Sequence, residues 1–169
     1  SSYYFSYYPH CWGWAAWRRA WENYDDSLRK WSEFKDGRIL NSLFQDSTEV
    51  EYWEDILSSL AETGQPDSWA YRWAYSCWKN SALTVLPNVN LVSNIGFGNK
   101  STNTHNSNNS LANLAAQSIV SIKHPSFIVR DSCADRYTFN HCFRVDKSKN
   151  SLIRKYLRSI KNKLLAFRF

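Results

Sequence analysis

The stretch Ser2-Tyr3-Tyr4-Phe5-Ser6-Tyr7-Tyr8-Pro9-His10-Cys11-Trp12-Gly13-Trp14-Ala15-Ala16-Trp17-Arg18-Arg19-Ala20-Trp21 changes its pattern half-way. Ser2 to Tyr8 is dense in aromatic strand formers and stops at Pro9, which cannot donate to a ladder, so a strand leading into a turn is expected. Beyond Gly13 the residues Trp14, Trp17, Trp21, Tyr24 and Leu28 recur at steps of three and four, the spacing of a helix with one aromatic face. Such a face is ordinarily core. Strand followed by helix points to the α/β class, or to α+β if these residues stand alone.

Working outward, Gly37 interrupts the next segment, and Ser47 or Thr48 with Glu51 predicts a capped helix carrying Val50, Trp53, Ile56, Leu57 and Leu60. Gly64-Gln65-Pro66 ends it. Asp67 or Ser68 is placed to cap a third helix, Trp69 to Lys79, which is apolar on most sides and therefore expected to be buried. Ala82 to Leu86 is an apolar run closed by Pro87. Over Asn88 to Ile95, Val89, Leu91, Ser93 and Ile95 alternate with Asn88, Asn90, Val92 and Asn94, which reads as a strand with an amide-rich face. Residues 99–113 are dominated by Asn, Ser and Thr and read as a loop. Order is expected again over 119–130, then a helix from Asp131 through Tyr137, Phe139 and Phe143. A basic amphipathic helix is expected over 147–169, with Leu152, Ile153, Leu157, Ile160 and Leu164 on one face. The domain division read from these patterns is 1–146 and 147–169.

The chain has 169 residues, 21 Lys+Arg against 15 Asp+Glu, and 17% aromatic residues. No apolar run approaches the roughly 18 residues of a membrane span, and the composition is globular. The sequence pI near 9.2 is misleading as a whole-chain number. Eight of the bases fall after residue 146 with no acid among them, leaving 13 bases against 15 acids in residues 1–146. All nine Trp lie between Trp12 and Trp78. Bases and rings are therefore segregated, whereas a nucleic-acid surface interleaves them, and nucleic acid is not an expected partner. The absence of Met and of a signal sequence at Ser1 reads as a piece of something longer.

Cys11, Cys77, Cys133 and Cys142 form no CxxC pair, and buried free thiols in a reducing, cytoplasmic setting are the expectation. No P-loop, GxGxxG, HExxH or GxSxG is present. The residues left as candidates for chemistry are polar ones inside the aromatic block: His10, Arg18, Arg19, Asp67, Arg72 and the Asn row, with His105 in the loop. Two readings stand for Trp12-Gly13-Trp14. Its indoles offer flat faces and N–H donors to a sugar while Gly13 admits close approach, or the three make a tight turn with both indoles in the core.

The run Tyr8 to Trp21, together with Trp69-Ala70-Tyr71-Arg72-Trp73 and Leu86-Pro87-Asn88-Val89-Asn90-Leu91-Val92-Ser93-Asn94-Ile95-Gly96-Phe97-Gly98, resembles the second half of bacterial family 2-like glycosyltransferases. These are often labelled hemolytic-protein-like and have the nucleotide-diphospho-sugar transferase (GT-A) fold. The likeness runs from about Ser2 to Arg136, with His124-Pro125 included. It implies the acceptor-side part of a GT-A fold, helices packed on a few strands, without the N-terminal nucleotide-binding sheet. It also implies transfer of a sugar from a nucleotide-diphospho-sugar to a glycan or other surface acceptor, with a divalent Mg or Mn held by acidic residues of the first half. Sugar transfer is not expected from the second half alone.

By the same resemblance, His10, Trp12, Gly13 and Trp14 line the cleft where donor and acceptor meet, and Arg18 and Arg19 reach the diphosphate, unless one pairs with Glu22. Trp69, Arg72, Asn88 and Asn94 complete the substrate-binding set. The family pattern in the third helix is Trp-Asp-Tyr-Gln-Trp, and Ala70 and Arg72 stand here at the Asp and Gln positions. Ala cannot accept a proton, so the base is either Asp67, one turn earlier, or missing; an N-cap is the competing role for Asp67. The family's Ala-Thr-His-Thr is replaced by Ser101-Thr102-Asn103-Thr104, with His105 two positions along as the metal-assisting candidate or a solvated loop histidine. Two other classes compete: a non-catalytic carbohydrate-binding or pseudo-enzyme module, and a membrane-surface protein whose basic 147–169 face meets an anionic bilayer at the inner face of the membrane.

Overall fold

The computed structural model describes residues 1–94 and 114–143. The expected loop 99–113 with His105, and the expected basic helix 147–169, lie outside the described residues. The chain divides into two compact units, Ser1–Asp131 and Ser132–Phe169.

In the first unit β1 (Tyr3–Ser6) is followed by α1 (Arg18–Trp21), α2 (Trp31–Asp36), α3 (Ile39–Leu43), α4 (Ser47–Thr63), α5 (Trp69–Lys79) and β2 (Thr84–Pro87). β1 and β2 pair antiparallel, Tyr3 opposite Pro87 and Ser6 opposite Thr84, and Asn88 N–H continues the ladder by donating to the Ser2 carbonyl. On the other side of β1 a single parallel bridge joins Phe5 to Arg130. The described fold is thus helices with a small sheet, α+β.

α4 begins where an acceptor is available: Asp46 takes the Thr48 N–H at 2.8 Å, one residue before the expected Ser/Thr cap. It ends on Gly64 at φ 71°, a left-handed position that only glycine adopts without strain. The buried faces of α4 and α5 enclose Trp53, Leu57, Tyr75 and Trp78, joined by Tyr8, Leu40 and Phe44. Tyr8 stacks on Phe44 at 5.9 Å, and Trp53 meets Trp78 edge-on at 4.8 Å. The polar ends of Tyr8, Trp53 and Trp78 are satisfied inside. Trp78 donates to the Tyr7 carbonyl at 2.7 Å, Trp53 to the Tyr8 hydroxyl, and that hydroxyl to the buried Glu49 carboxylate.

Two expectations are corrected. The aromatic stripe from Trp14 to Leu28 is not one helix: only Arg18–Trp21 is helical, and Leu28 is left-handed at φ 50°. Gly13 is held in a left-handed turn, and Trp17 is extended at ψ 141°, so helix cannot start before Arg18. The second correction concerns Asn88 to Ile95. Among its described residues, 88–94, there is no strand; the strand lies one segment earlier, at Thr84–Pro87. Asn90 explains the change, because its side chain donates to the carbonyls of Leu114 and Ala115 while its own carbonyl accepts from Gln117 N–H. A residue clamped sideways to a distant segment cannot continue along β1.

The second unit opens with α6 (Ser132–Thr138), which passes into a π-helical turn, Phe139–Phe143. The His141 ring stacks on Tyr137 at 3.9 Å, and its Nδ1 lies 2.8 Å from the Tyr137 carbonyl.

Candidate functional site

Rings from three places in the sequence converge at the start of α5. Trp14 comes from the turn, Trp21 and Tyr24 from α1 and just beyond it, and Trp69 and Trp73 from one face of α5 at spacing i, i+4. Trp14 stacks on Trp69 at 4.8 Å, Trp21 on Tyr24 at 4.6 Å, and Trp21 lies 5.1 Å from Trp73. Trp73 is buried beneath them, but Trp14, Trp21 and Trp69 remain 38%, 41% and 40% exposed. Their indole N–H groups bond to nothing among the described residues. The third helix is therefore buried only from Trp73 onward, not along its whole length as its composition suggests.

Gly13 settles the turn. At φ +60° it sits where side chains are disfavoured, and a Cβ there would meet the Val92 methyl at 2.3 Å. The space a side chain would need there is filled by Val92, so the turn requires glycine, yet Trp12 and Trp14 are not core. Neither reading of Trp12-Gly13-Trp14 holds whole: the turn is tight, and its indoles face solvent.

Alongside the platform runs a cleft of about 230 Å³ lined by His10, Trp14, Trp17, Asn23, Trp73 and Asn80, with β2 forming one wall. No Asp, Glu, Lys or Arg lines it. Its size is below the roughly 300 Å³ at which pockets begin to enclose drug-sized ligands, so it fits one ring.

Of the charged candidates, Arg72 serves the framework. Arg72 donates to the Asp26 carbonyl at 2.9 Å and the Ser68 carbonyl at 3.2 Å, and it pairs with the Asp26 carboxylate at 3.4 Å and Asp67 at 4.0 Å. It fastens the start of α5 to the Tyr24–Asp26 corner and thereby sets the platform. Asp67 is exposed; Ser68 occupies the N-cap position, without a side-chain cap bond. Burial, with the bonded Asp26 carboxylate adding to it, pushes the Tyr24 phenol up. Arg19 lies over the Trp17 ring at 5.0 Å, and Arg18 is exposed on the same short helix. Asn88 ties the sheet to the N-terminus, its amide donating to the Ser1 carbonyl at 2.7 Å. Asn94 is half-buried at the end of the first described stretch. The structure thus gathers Trp14 and Trp69 at the platform and His10 at the cleft, while Asn88 is spent elsewhere.

Compared with protein-family models, curated proteins and solved structures, the chain matches none.

Trp21 and Trp73 belong to the platform, although the sequence marks neither as a site residue. Periodicity places Trp21 on a buried helix face, and only convergence of two elements reveals it. Among the described residues no group of three or more His, Cys, Asp or Glu is placed to hold a metal, so no donor set for Mg or Mn is found there. Cys77 alone of the four free thiols is buried, and burial pushes it up to about 12; Cys11, Cys133 and Cys142 are exposed, contrary to the expectation of buried thiols. Among the described residues no helix is long and apolar enough to cross a membrane.

Proposed function

We propose that this chain is the acceptor-side half of a bacterial sugar transferase of the GT-A kind, and that its own contribution is to hold a glycan. The observation that carries this reading is the platform of Trp14, Trp21 and Trp69, about 40% exposed each and with unpaired indole N–H groups, beside an uncharged cleft. Flat indole faces match the C–H faces of a pyranose, and the N–H edges match its hydroxyls. An uncharged cleft with amide walls suits a neutral hydroxylated ring better than a diphosphate, which calls for cations or helix N-termini. Within this reading the nucleotide-diphospho-sugar and its Mg or Mn bind to the other half, where the metal stabilises the leaving diphosphate. The complete enzyme would act in the cytoplasm at the inner face of the membrane, where activated sugars meet surface-glycan acceptors.

The residues described here are asked only to bind and orient the acceptor. Arg72 fixes the corner that carries Tyr24, so the ring stack is set before a glycan arrives, which lowers the ordering cost of binding. A second reading, a carbohydrate-binding module without catalysis, is favoured by Ala70 at the position of the family's carboxylate. Asp67 remains the candidate base of the first reading; it is exposed and loosely paired with Arg72.

Glycan titration followed by Trp fluorescence, alongside an assay of nucleoside diphosphate release from sugar nucleotides with Mn, tests both. Glycan binding without turnover supports an acceptor-side half or a module. Turnover by the 169-residue chain alone overturns the half-enzyme assignment, and absence of glycan binding overturns both readings.

A further inference from the structure

The segment after Val120 is pinned to β1 at both ends. Near its start, Lys123 N–H donates to the Ser2 hydroxyl at 2.9 Å, the Ser2 N–H donates to the Lys123 carbonyl at 2.7 Å, and His124 Nδ1 lies 2.9 Å from the Tyr3 hydroxyl. At its end, Asp131 N–H donates to the Phe5 carbonyl at 2.8 Å. The Arg130 guanidinium there lies over Tyr7 at 4.3 Å and donates to the Leu43 carbonyl. Ser2 to Phe5 spans roughly 10 Å of strand, whereas Lys123 to Asp131 is enough chain for about 26 Å. The surplus must loop outward. It carries Phe127, Ile128 and Val129, which are 77%, 77% and 67% exposed. Three successive large apolar side chains held in water on a fastened loop are an unsatisfied surface rather than scattered exposure.

The charge pattern selects what covers it. From Ser68 to Arg130 the sequence contains no Asp or Glu; Arg72 and Lys79 are spent on Asp26, Asp67 and Asp25, while Lys123 stands exposed at the start of the loop. After residue 146 the sequence adds eight bases and no acid. A short apolar insertion holds a protein at a bilayer only marginally, and stable attachment takes a second, polybasic signal. One chain here encodes both. We infer that the loop 124–129 is a hydrophobic wedge that enters the headgroup region of an anionic lipid surface, with Phe127 and Ile128 as its inserting residues. This goes beyond attraction of the basic 147–169 segment alone, because it assigns part of the binding to apolar burial in the first unit. It is independent of the glycan reading.

The test is flotation of the full chain with phosphatidylcholine vesicles, with and without phosphatidylglycerol, for the wild type and the double variant Phe127→Ser/Ile128→Ser. Both positions are exposed, so the variant is expected to unfold at the wild-type denaturant midpoint. The wild type should float with phosphatidylglycerol vesicles, and the variant should lose about tenfold or more in partition, the loss expected for two withdrawn apolar side chains. Equal partition of variant and wild type would assign all binding to the basic segment and overturn the wedge. Failure of the wild type to float also overturns it. If that failure comes with a sedimentation mass that falls from dimer to monomer in the variant, a second copy of the chain covers the loop instead.

Discussion

Two groups of aromatic rings in the first unit use the same chemistry and meet opposite fates. Tyr8, Phe44, Trp53 and Trp78 are sealed, and the polar end of each ring that has one finds a partner inside, through Tyr7 or Glu49. Trp14, Trp21 and Trp69 touch one another at comparable ring distances, yet stay about 40% exposed with free N–H edges. Ring contact alone therefore does not distinguish a core from a surface; between these two groups the difference is satisfaction of the polar edge, and Tyr75 is the buried exception. A buried indole with no acceptor carries a desolvation cost of about 1–3 kcal/mol, so an edge left free belongs in water or against a ligand.

The largest expected effect tests the sealed group. Trp53→Ala or Trp78→Ala should cost about 3–5 kcal/mol in urea or guanidinium unfolding, by cavity formation beside closely packed neighbours. A loss under about 1 kcal/mol would mean that these rings are not the core. The next effect is electrostatic. Asp25 is buried and bonded by Lys79 at 2.7 Å, with Ser76 holding its N–H and Arg29 at 3.8 Å. Burial pulls its carboxyl upward, but the Lys79 bond, the Arg29 N–H and both positive charges outweigh it and hold it below the usual range. A depressed carboxyl stabilises the fold above its unfolded value near pH 4, and that share is lost as pH falls through its lower folded value. Lys79→Ala should cost about 2 kcal/mol at neutral pH and flatten the acid limb of a stability profile. An unchanged acid limb would remove Asp25 from this role.

Gly13→Ala should cost about 1–2 kcal/mol for the left-handed backbone, with more from the Val92 contact. Adding Val92→Ala should recover only the contact part, as measured by thermal unfolding in a double-mutant cycle. On the platform itself, Trp14→Ala should change stability by about 1 kcal/mol or less while weakening glycan binding roughly tenfold, the reverse ordering from Trp53→Ala. The smallest effect sharpens the rule. Tyr75 is fully buried against Trp31 and Phe34, burial pushes its phenol up to about 12, and its hydroxyl has no partner among the described residues. Tyr75→Phe should be neutral or stabilising by about 1 kcal/mol. Clear destabilisation would show that an unseen partner satisfies it.

Much of the helical frame was legible in the residues. α4 and α5 lie where Trp53-Ile56-Leu57-Leu60 and Trp69-Trp73-Cys77 put them, because caps and a 3.6-residue period are local signals. The platform was legible only in part. Trp14, Trp69 and His10 stand out in the sequence as site candidates, whereas the helical period places Trp21 in a buried stripe and Trp73 in a buried helix.

The sequence by itself determined the separation of a ring-rich, slightly acidic stretch from a basic one, the end of α4 at Gly64, and the existence of α4 and α5. Tertiary structure decided which rings are sealed and which face outward. A row of Trp at steps of three and four specifies that the rings can gather, and a helix is one way of gathering them. Gly13 against Val92, Arg72 against Asp26 and Asn90 against residues 114–117 chose another way, because each joins residues far apart in sequence, and periodicity carries no information about such pairs.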